Sequence, residues 1–290
     1  MAFRYAAFTV MMPDHTIEES AALLSKLGYD GVEWRVHNNP SGPCNGKEFW
    51  RANKATIDLA TILETAPEIR KLADDNGLAT LGLGTYISYK HLDDLGRCME
   101  AAKILGCDSV RVATPKYDGS TDYVDLFEST LDGFVKVEAL ARKHDVQANI
   151  EIHESNICCS ASLAHRLVSN FEPDHVGVIL DPGHMICQGY EGWQLGLELL
   201  GPYLSHVHVK NSMWVSAGTG EDGASLWKTE VAGIKGGFVN WRDVLLALDK
   251  VGFNGWLAIE DFSQADTETK LADGLAYFKA IEAQPSNGCS

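Results

Sequence analysis

Short runs of apolar and β-branched residues alternate along this chain with longer amphipathic stretches, a pattern that predicts strands and helices in turn. The eight predicted strands are Ala6–Val10, Gly31–Val36, Leu78–Tyr86, Asp108–Thr114, Gln147–His153, Val176–Asp181, Ser205–Lys210 and Gly255–Glu260. The helices predicted after them are Thr16–Leu27, Thr56–Asp75, Asp93–Leu105, Tyr123–His144, Ser162–Asn170, Trp193–Tyr203, Trp241–Val251 and Thr267–Ala283.

Strands that alternate with helices indicate a parallel sheet, because parallel neighbours need a crossover between them. Eight such units predict an α/β fold, a (β/α)8 TIM barrel, in which residues 1–290 form a single domain. The alternative is an open doubly wound sheet, but no Gly-x-Gly-x-x-Gly follows the first strand. Two long segments, at about 37–55 and 211–240, leave the same face of the predicted barrel. They are interpreted as lids or binding loops, with a surface excursion or subunit contact as the alternative.

Four of the predicted strands end in acidic or imidazole side chains, namely Glu151, Asp181, His208 and Glu260. Chemistry in a barrel takes place at these C-terminal strand ends, so the four side chains are expected to meet. Three carboxylates do not converge without a cation, and a mixed oxygen and nitrogen set suits a divalent metal. We therefore predict one divalent metal ion, with Mn²⁺ the first expectation and Mg²⁺, Co²⁺ or Zn²⁺ possible.

Alternate residues of a strand share a face, which places further side chains at the same site. His153 shares a face with Glu151, so the candidates for the base are Glu151, Glu260 and His153. Lys210 shares the face of His208 and is expected either to stabilise an oxyanion or to neutralise surplus carboxylate.

Three other inward-facing residues have roles that the sequence leaves open. His206 points the same way as His208 and fits either core packing or function. Glu33 and Arg35 share a strand face and fit either a buried ion pair or contact with substrate.

The charge and composition of the chain limit the classes of partner that we expect it to bind. A formal charge of −16 argues against a nucleic acid or an anionic membrane, because phosphate binding needs a basic surface. No apolar run approaches the length of a membrane span. Seven cysteines without framework spacing, and no signal-peptide pattern in the first residues, favour a cytoplasmic protein with reduced thiols. We expect a small-molecule substrate and a homo- or hetero-oligomer.

The strand ends also carry phrases that resemble a known family. They are Asp30-Gly-Val-Glu33, Glu-x-His at 151–153, Asp-x-x-His at 181–184, His-x-Lys at 208–210, Gly236–Trp241 and Gly252–Glu260. In this order they are similar to the xylose isomerase-like TIM-barrel superfamily, the sugar isomerase/epimerase and AP-endonuclease group. The resemblance covers essentially the whole chain.

The resemblance implies roles for particular residues. The family's metal ligands correspond to Glu151, Asp181, His208 and Glu260, and His184 corresponds to the histidine that faces the substrate hydroxyls. In the epimerases and isomerases of the group, the two ligand glutamates also act as acid and base on opposite sides of the sugar.

Three departures from the family pattern argue against a simple ketohexose epimerase. The phrase His-x-Lys-Asp ends here in Asn211, Ile157 replaces a substrate-binding Glu, and Trp214 replaces an Arg. An AP endonuclease is also unexpected, because its second Asp-x-His pair and additional histidines are not evident.

These features together predict a metal-dependent isomerase or epimerase that removes a proton next to a carbonyl and forms an enediolate. The alternative is a lyase or dehydratase acting by β-elimination on a keto-sugar, inosose or keto-glycoside, a branch that an aromatic lid of Trp50, Trp214 and Trp227 suits. A second alternative is a non-catalytic sugar-binding subunit.

Overall fold

The computed structural model describes residues 3–38 and 48–284. Its strands are β1 (Arg4–Phe8), β2 (Gly31–Val36), β3 (Thr56–Ile57), β4 (Ala79–Thr85), β5 (Ser109–Arg111), β6 (Gln147–Glu151), β7 (Val176–Leu180), β8 (Leu204–Val209), β9 (Asn211–Thr219), β10 (Ser225–Ala232) and β11 (Trp256–Ile259). Its α-helices are α1 (Ile17–Leu27), α2 (Glu48–Arg51), α3 (Ile62–Asp75), α4 (Leu92–Leu105), α5 (Tyr123–His144), α6 (Ala161–Val168), α7 (Pro182–Cys187), α8 (Trp193–Leu200), α9 (Trp241–Lys250) and α10 (Thr267–Glu282).

Eight of these strands close into a parallel barrel in the order β1-β2-β4-β5-β6-β7-β8-β11, with β11 paired back to β1. The predicted (β/α)8 barrel is therefore confirmed. Strands such as β2 and β7 are buried along their whole length, as expected when helices cover a parallel sheet. Local signals fix the helix ends: Thr16 and Glu19 form a capping box at the start of α1, and Gly28 ends it in the left-handed conformation.

The segment between β2 and α3 departs from its prediction. Thr56 and Ile57 are extended and pair with Arg35 and Val36, so the predicted helix Thr56–Asp75 is wrong at its start, and α3 begins at Ile62. The edge of β2 that β1 leaves free is thereby covered. In the predicted long segment 37–55, residues 39–47 lie outside the described residues, and α2 occupies its later part.

The second long segment, 211–240, which was interpreted as a lid or binding loop, contains regular secondary structure. Most of it is an antiparallel ribbon in which β9 and β10 pair from Asn211–Ala232 outward to Thr219–Ser225. Residues 213–216 of β9 alternate between half-buried and exposed, the period-2 pattern of a strand with one solvated face, and the outer end of the strand is exposed on both faces. The ribbon therefore rises from the C-terminal face of the barrel, next to the predicted site.

Within residues 3–38 and 48–284, every helix is too short or too polar to cross a bilayer. The five cysteines in that part of the chain, Cys98, Cys107, Cys158, Cys159 and Cys187, are free thiols.

Candidate metal centre

The four predicted metal ligands, here termed the ligand quartet (Glu151, Asp181, His208 and Glu260), converge at the C-terminal ends of β6, β7, β8 and β11. One donor atom from each residue lies within 4.8 Å of the others, and all four side chains are buried. Nδ1 of His208 lies 2.7 Å from Oε1 of Glu151 and 3.7 Å from Oε2 of Glu260. Three carboxylates and an imidazole this close form a donor set for a hard divalent cation.

Two oxygens of the quartet are available to such a cation. Oδ1 of Asp181 accepts the backbone N–H of His184 at 3.0 Å and so caps α7, which leaves Oδ2 for the site. This Oδ2 and Oε2 of Glu260 are buried without a hydrogen bond, although the Lys210 ammonium lies 3.0 and 2.6 Å away. Lys210 offsets only part of the charge of three buried carboxylates, and these two oxygens face the centre of a mixed oxygen and nitrogen donor set, so the quartet fits a metal ion.

Arg111 is a site residue that the sequence reasoning missed. Its Nη1 lies 2.6 Å from Oε2 of Glu151, and its Nε donates to the carbonyl of Thr85. Although burial raises the pKa of Glu151, the Arg111 guanidinium and His208 outweigh it and hold that pKa well below its usual range. An arginine between the apolar positions of the predicted strand Asp108–Thr114 was the available signal, since a buried arginine needs a carboxylate.

Lys210, predicted to contact substrate or to neutralise carboxylate, contacts three groups of the site. Its Nζ lies within 3.0 Å of Asp181 and Glu260, and 2.8 Å from Nε2 of His184. Burial lowers the pKa of Lys210, but the two carboxylates outweigh it and hold the pKa above its usual value. Burial raises the pKa of Glu260, and Lys210 and His208 offset only part of that rise, so Glu260 is a more basic carboxylate than Glu151.

His153 and His184 lie against each other at the mouth of the quartet, with ring centroids 3.6 Å apart. Nδ1 of His153 lies 2.7 Å from the carbonyl of Glu154, and a carbonyl only accepts, so Nδ1 carries the hydrogen and Nε2 keeps a lone pair. Burial and the neighbouring His184 lower the pKa of His153 to about 4. A neutral imidazole with a free nitrogen therefore faces the cavity.

Glu33 and Arg35, which the sequence left as either an ion pair or substrate contacts, bind different partners. The carboxylate of Glu33 lies 3.0 Å from Nε2 of His208 and 3.6 Å from Nε2 of His206. The guanidinium of Arg35 donates to Thr56 and to the carbonyl of Trp50. Neither residue lines the cavity.

A cavity of about 540 Å³ opens above the quartet. Its walls carry aromatic, aliphatic and polar side chains, among them Trp50, Tyr86, Lys116, Asn156, Val231 and Phe262. Of the three tryptophans predicted to form a lid, Trp50 lines the cavity. Trp214 lies in a separate cleft with Tyr190 and Phe238 and donates to the carbonyl of Ile186, and Trp227 is exposed on the ribbon, so neither contributes to the cavity wall.

Asn211, the position at which the family phrase has an aspartate, closes the base of the ribbon. Its Nδ2 donates to the carbonyls of Ile234 and Val239, and its Oδ1 accepts the backbone N–H groups of Ser212 and Val239. The amide is buried, and both of its polar atoms are used. A carboxylate could not donate to the two carbonyls, which gives this departure a structural reason.

The chain is similar to known proteins both in sequence and in fold. The sequence model of the xylose isomerase-like TIM barrel family matches residues 21–281 of this chain. An inosose dehydratase of Geobacillus thermodenitrificans is 22% identical over 176 residues, which is 58% of this chain and 56% of the dehydratase, so the match spans about half of that relative. A D-psicose 3-epimerase solved in the presence of D-fructose superimposes with a TM-score of 0.70 at 15% identity, over 97% of this chain and 100% of the epimerase.

A xylose isomerase-like TIM-barrel protein from Mycobacterium smegmatis, solved in complex with magnesium, has a TM-score of 0.69 at 19% identity, over 96% of each chain. At these identities the two solved structures establish the shared fold. The strand-end phrases therefore follow one another along the chain in the same order as the strands around the barrel.

Proposed function

The chain belongs to the xylose isomerase-like TIM-barrel family, and on that premise we propose that it is a divalent-metal-dependent isomerase or epimerase of a sugar or cyclitol. The observation that carries the proposal is the convergence of the ligand quartet within 4.8 Å beneath the cavity. Relatives that bear the names of a sugar epimerase and an inosose dehydratase support the substrate class.

The proposed reaction begins with removal of a proton from the carbon next to a carbonyl, which gives an enediolate. A bound divalent ion, Mn²⁺ first among the candidates, would stabilise the negative charge on the carbonyl oxygen. His184 and Lys210 line the cavity beside the quartet, where they can donate hydrogen bonds to substrate hydroxyls and to a developing oxyanion.

The proton acceptors that the geometry favours are His153 and Glu260. Both line the cavity; His153 has a free Nε2, and the pKa of Glu260 is raised by burial. Glu151, the third predicted candidate, has Oε1 against His208 and Oε2 against Arg111. Because both oxygens are engaged and its pKa is low, Glu151 serves better as a ligand than as a base.

A lyase or dehydratase is the second candidate, and the 176-residue match to the inosose dehydratase favours it. In that reaction the same enediolate expels a hydroxyl or an aglycone from the neighbouring carbon. His153, once it holds the abstracted proton, can return it to the leaving group. The same residues therefore support both reactions, and the product separates them.

The test combines metal analysis with proton exchange. Wild type, Glu151→Ala and the exposed control Glu64→Ala are loaded with Mn²⁺, dialysed, and analysed for metal. Mg²⁺-loaded protein is then incubated with keto-sugars, inososes and keto-glycosides in D2O and followed by NMR. We expect one ion per chain in wild type and Glu64→Ala, little in Glu151→Ala, and deuterium at the carbon next to the carbonyl.

The outcomes of this experiment distinguish an isomerase or epimerase, a lyase and a sugar-binding subunit. A product of unchanged composition apart from deuterium supports the isomerase or epimerase, and loss of water or an aglycone supports the lyase. Wild type that takes up no metal overturns the proposal and leaves a sugar-binding subunit. Metal uptake without exchange on any of these substrates overturns the proposed substrate class.

A further inference from the structure

The imidazole of His208 faces a carboxylate at each of its two nitrogens. Nδ1 points into the ligand quartet, 2.7 Å from Glu151, whereas Nε2 lies 3.0 Å from Oε2 of Glu33 on β2. Glu33 is buried, does not line the cavity, and lies on the side of the ring away from Glu151 and Glu260. The residue is therefore placed to act on His208 and not on the substrate.

The surroundings hold both groups in this orientation. The ring of Phe8 stacks on His208 with centroids 5.5 Å apart and an interplanar angle of 26°. Gly84 makes room for this layer, because a Cβ atom at that position would lie 2.3 Å from the Phe8 ring and 3.2 Å from Oε1 of Glu33. Phe8 thus restricts the plane of the imidazole, and the contact between Glu33 and Nε2 favours the one of the two flipped ring orientations that points Nδ1 at the quartet.

We infer that Glu33 is the positioning residue for the metal ligand His208: its carboxylate accepts the Nε2 hydrogen, so that the Nδ1 lone pair is directed at the ion. A neutral imidazole carries one N–H, and an acceptor on one nitrogen leaves the other free to bind a metal. Ligand histidines commonly donate their second N–H to a carboxylate, which also makes the ligand nitrogen more basic. The inference rests on the proposed metal site but on no particular reaction.

A second ion is the competing explanation for the same residues. Donor atoms of Glu33, His206 and His208 also lie within 4.8 Å of one another, and Nε2 of His206 is buried without a hydrogen bond. His208 would then bridge two ions, one at each nitrogen. The positioning role predicts one ion per chain, whereas this arrangement requires two.

Mn²⁺ affinity, measured by equilibrium dialysis of the full chain, tests the inference. We expect Glu33→Ala to bind Mn²⁺ about 10- to 100-fold more weakly than wild type, the usual loss when such a partner is removed. Glu33→Gln keeps an oxygen that accepts the Nε2 hydrogen, so it should recover a large part of that loss. His206→Leu, a buried change on the same strand that also removes a contact of Glu33, is the matched control and should bind as wild type does.

If Glu33→Ala does not fold, an NMR spectrum of the wild-type protein still tests the inference. In Zn²⁺-loaded protein labelled with ¹⁵N-histidine, His208 should show a metal-bound Nδ1 and a protonated Nε2. The opposite tautomer overturns the inference, as does Glu33→Ala with wild-type affinity. Two ions per wild-type chain, with one lost in His206→Leu, replace it with the bridged pair.

The proposed function and this inference fail in different ways. Wild type that binds no Mn²⁺ overturns both. Mn²⁺ binding that depends on Glu151 but not on Glu33 overturns the positioning role alone, and normal Glu33 dependence without turnover overturns only the reaction.

Discussion

The guanidinium of Arg111 lies 2.6 Å from Oε2 of Glu151, and both side chains are buried at the floor of the cavity. The pair joins β5 to β6 on the side of Glu151 opposite His208. Arg111 therefore neutralises one carboxylate of the quartet and also prevents its rotation away from the other ligands.

We expect Arg111→Met to lower the free energy of unfolding of the metal-free protein by about 3–5 kcal/mol, because it leaves a buried carboxylate without its cation. Mn²⁺ should recover part of this loss, since the ion supplies positive charge to the same carboxylate. Urea unfolding with EDTA and with Mn²⁺ measures both effects.

The matched control for this prediction is Lys26→Ala, which removes an exposed ion pair with Glu268. It should cost less than about 1 kcal/mol. An equal loss in the two variants would contradict the importance of burial at Arg111.

His153→Gln should lower the proton-exchange rate by about 10²- to 10⁴-fold, the usual contribution of a general base, and should leave the metal content unchanged. Metal analysis and D2O exchange on the same sample separate the two effects. A normal rate would leave Glu260 as the base.

The acid limb of kcat/KM for wild type should lie near pH 4, where His153 is half protonated. Its pKa is lowered, so the neutral base predominates above that pH, and activity is lost as the pH falls through it. A limb near the ordinary histidine value of about 6.5 would show that His153 is more open to solvent during the reaction.

Trp50→Ala should raise KM by roughly 3- to 10-fold with little change in kcat, since an aromatic contact is worth about 0.5–1.5 kcal/mol and Trp50 lines the cavity. Trp214→Ala and Trp227→Ala are controls from the same chain. They should leave KM unchanged, because neither side chain lines the cavity. Steady-state kinetics of the three variants distinguishes a binding wall from a general effect of lost aromatics.

Asn211→Asp should destabilise the protein by about 2–5 kcal/mol, because the carbonyls of Ile234 and Val239 each lose a buried donor. Asn170 also donates to two carbonyls but is exposed, so Asn170→Asp should cost much less. Thermal unfolding compares them. Equal stability of Asn211→Asp and wild type would show that water or a shifted backbone replaces the lost donors.

Local sequence patterns were enough to predict the barrel, the order of its units and the strand ends that carry the quartet. Helix α5 begins and ends at the predicted residues, Tyr123 and His144, because amphipathic periodicity and the Asp122 cap are local properties of the chain. The quartet could also be predicted from the sequence, since strand direction alone places the residues at the carboxyl ends of the strands on one face of a barrel.

Which atoms of the site contact one another depends on the closure of the barrel. Arg111 and Glu151 are 40 positions apart, and Glu33 and His208 are 175 apart, so closure of the barrel creates contacts that no local pattern encodes. For the same reason the short strand at Thr56 was predicted as helix, and the ribbon at 211–232 as a loop. Both depend on pairing partners whose position is fixed only when the sheet closes, whereas periodicity reports burial and local backbone preference.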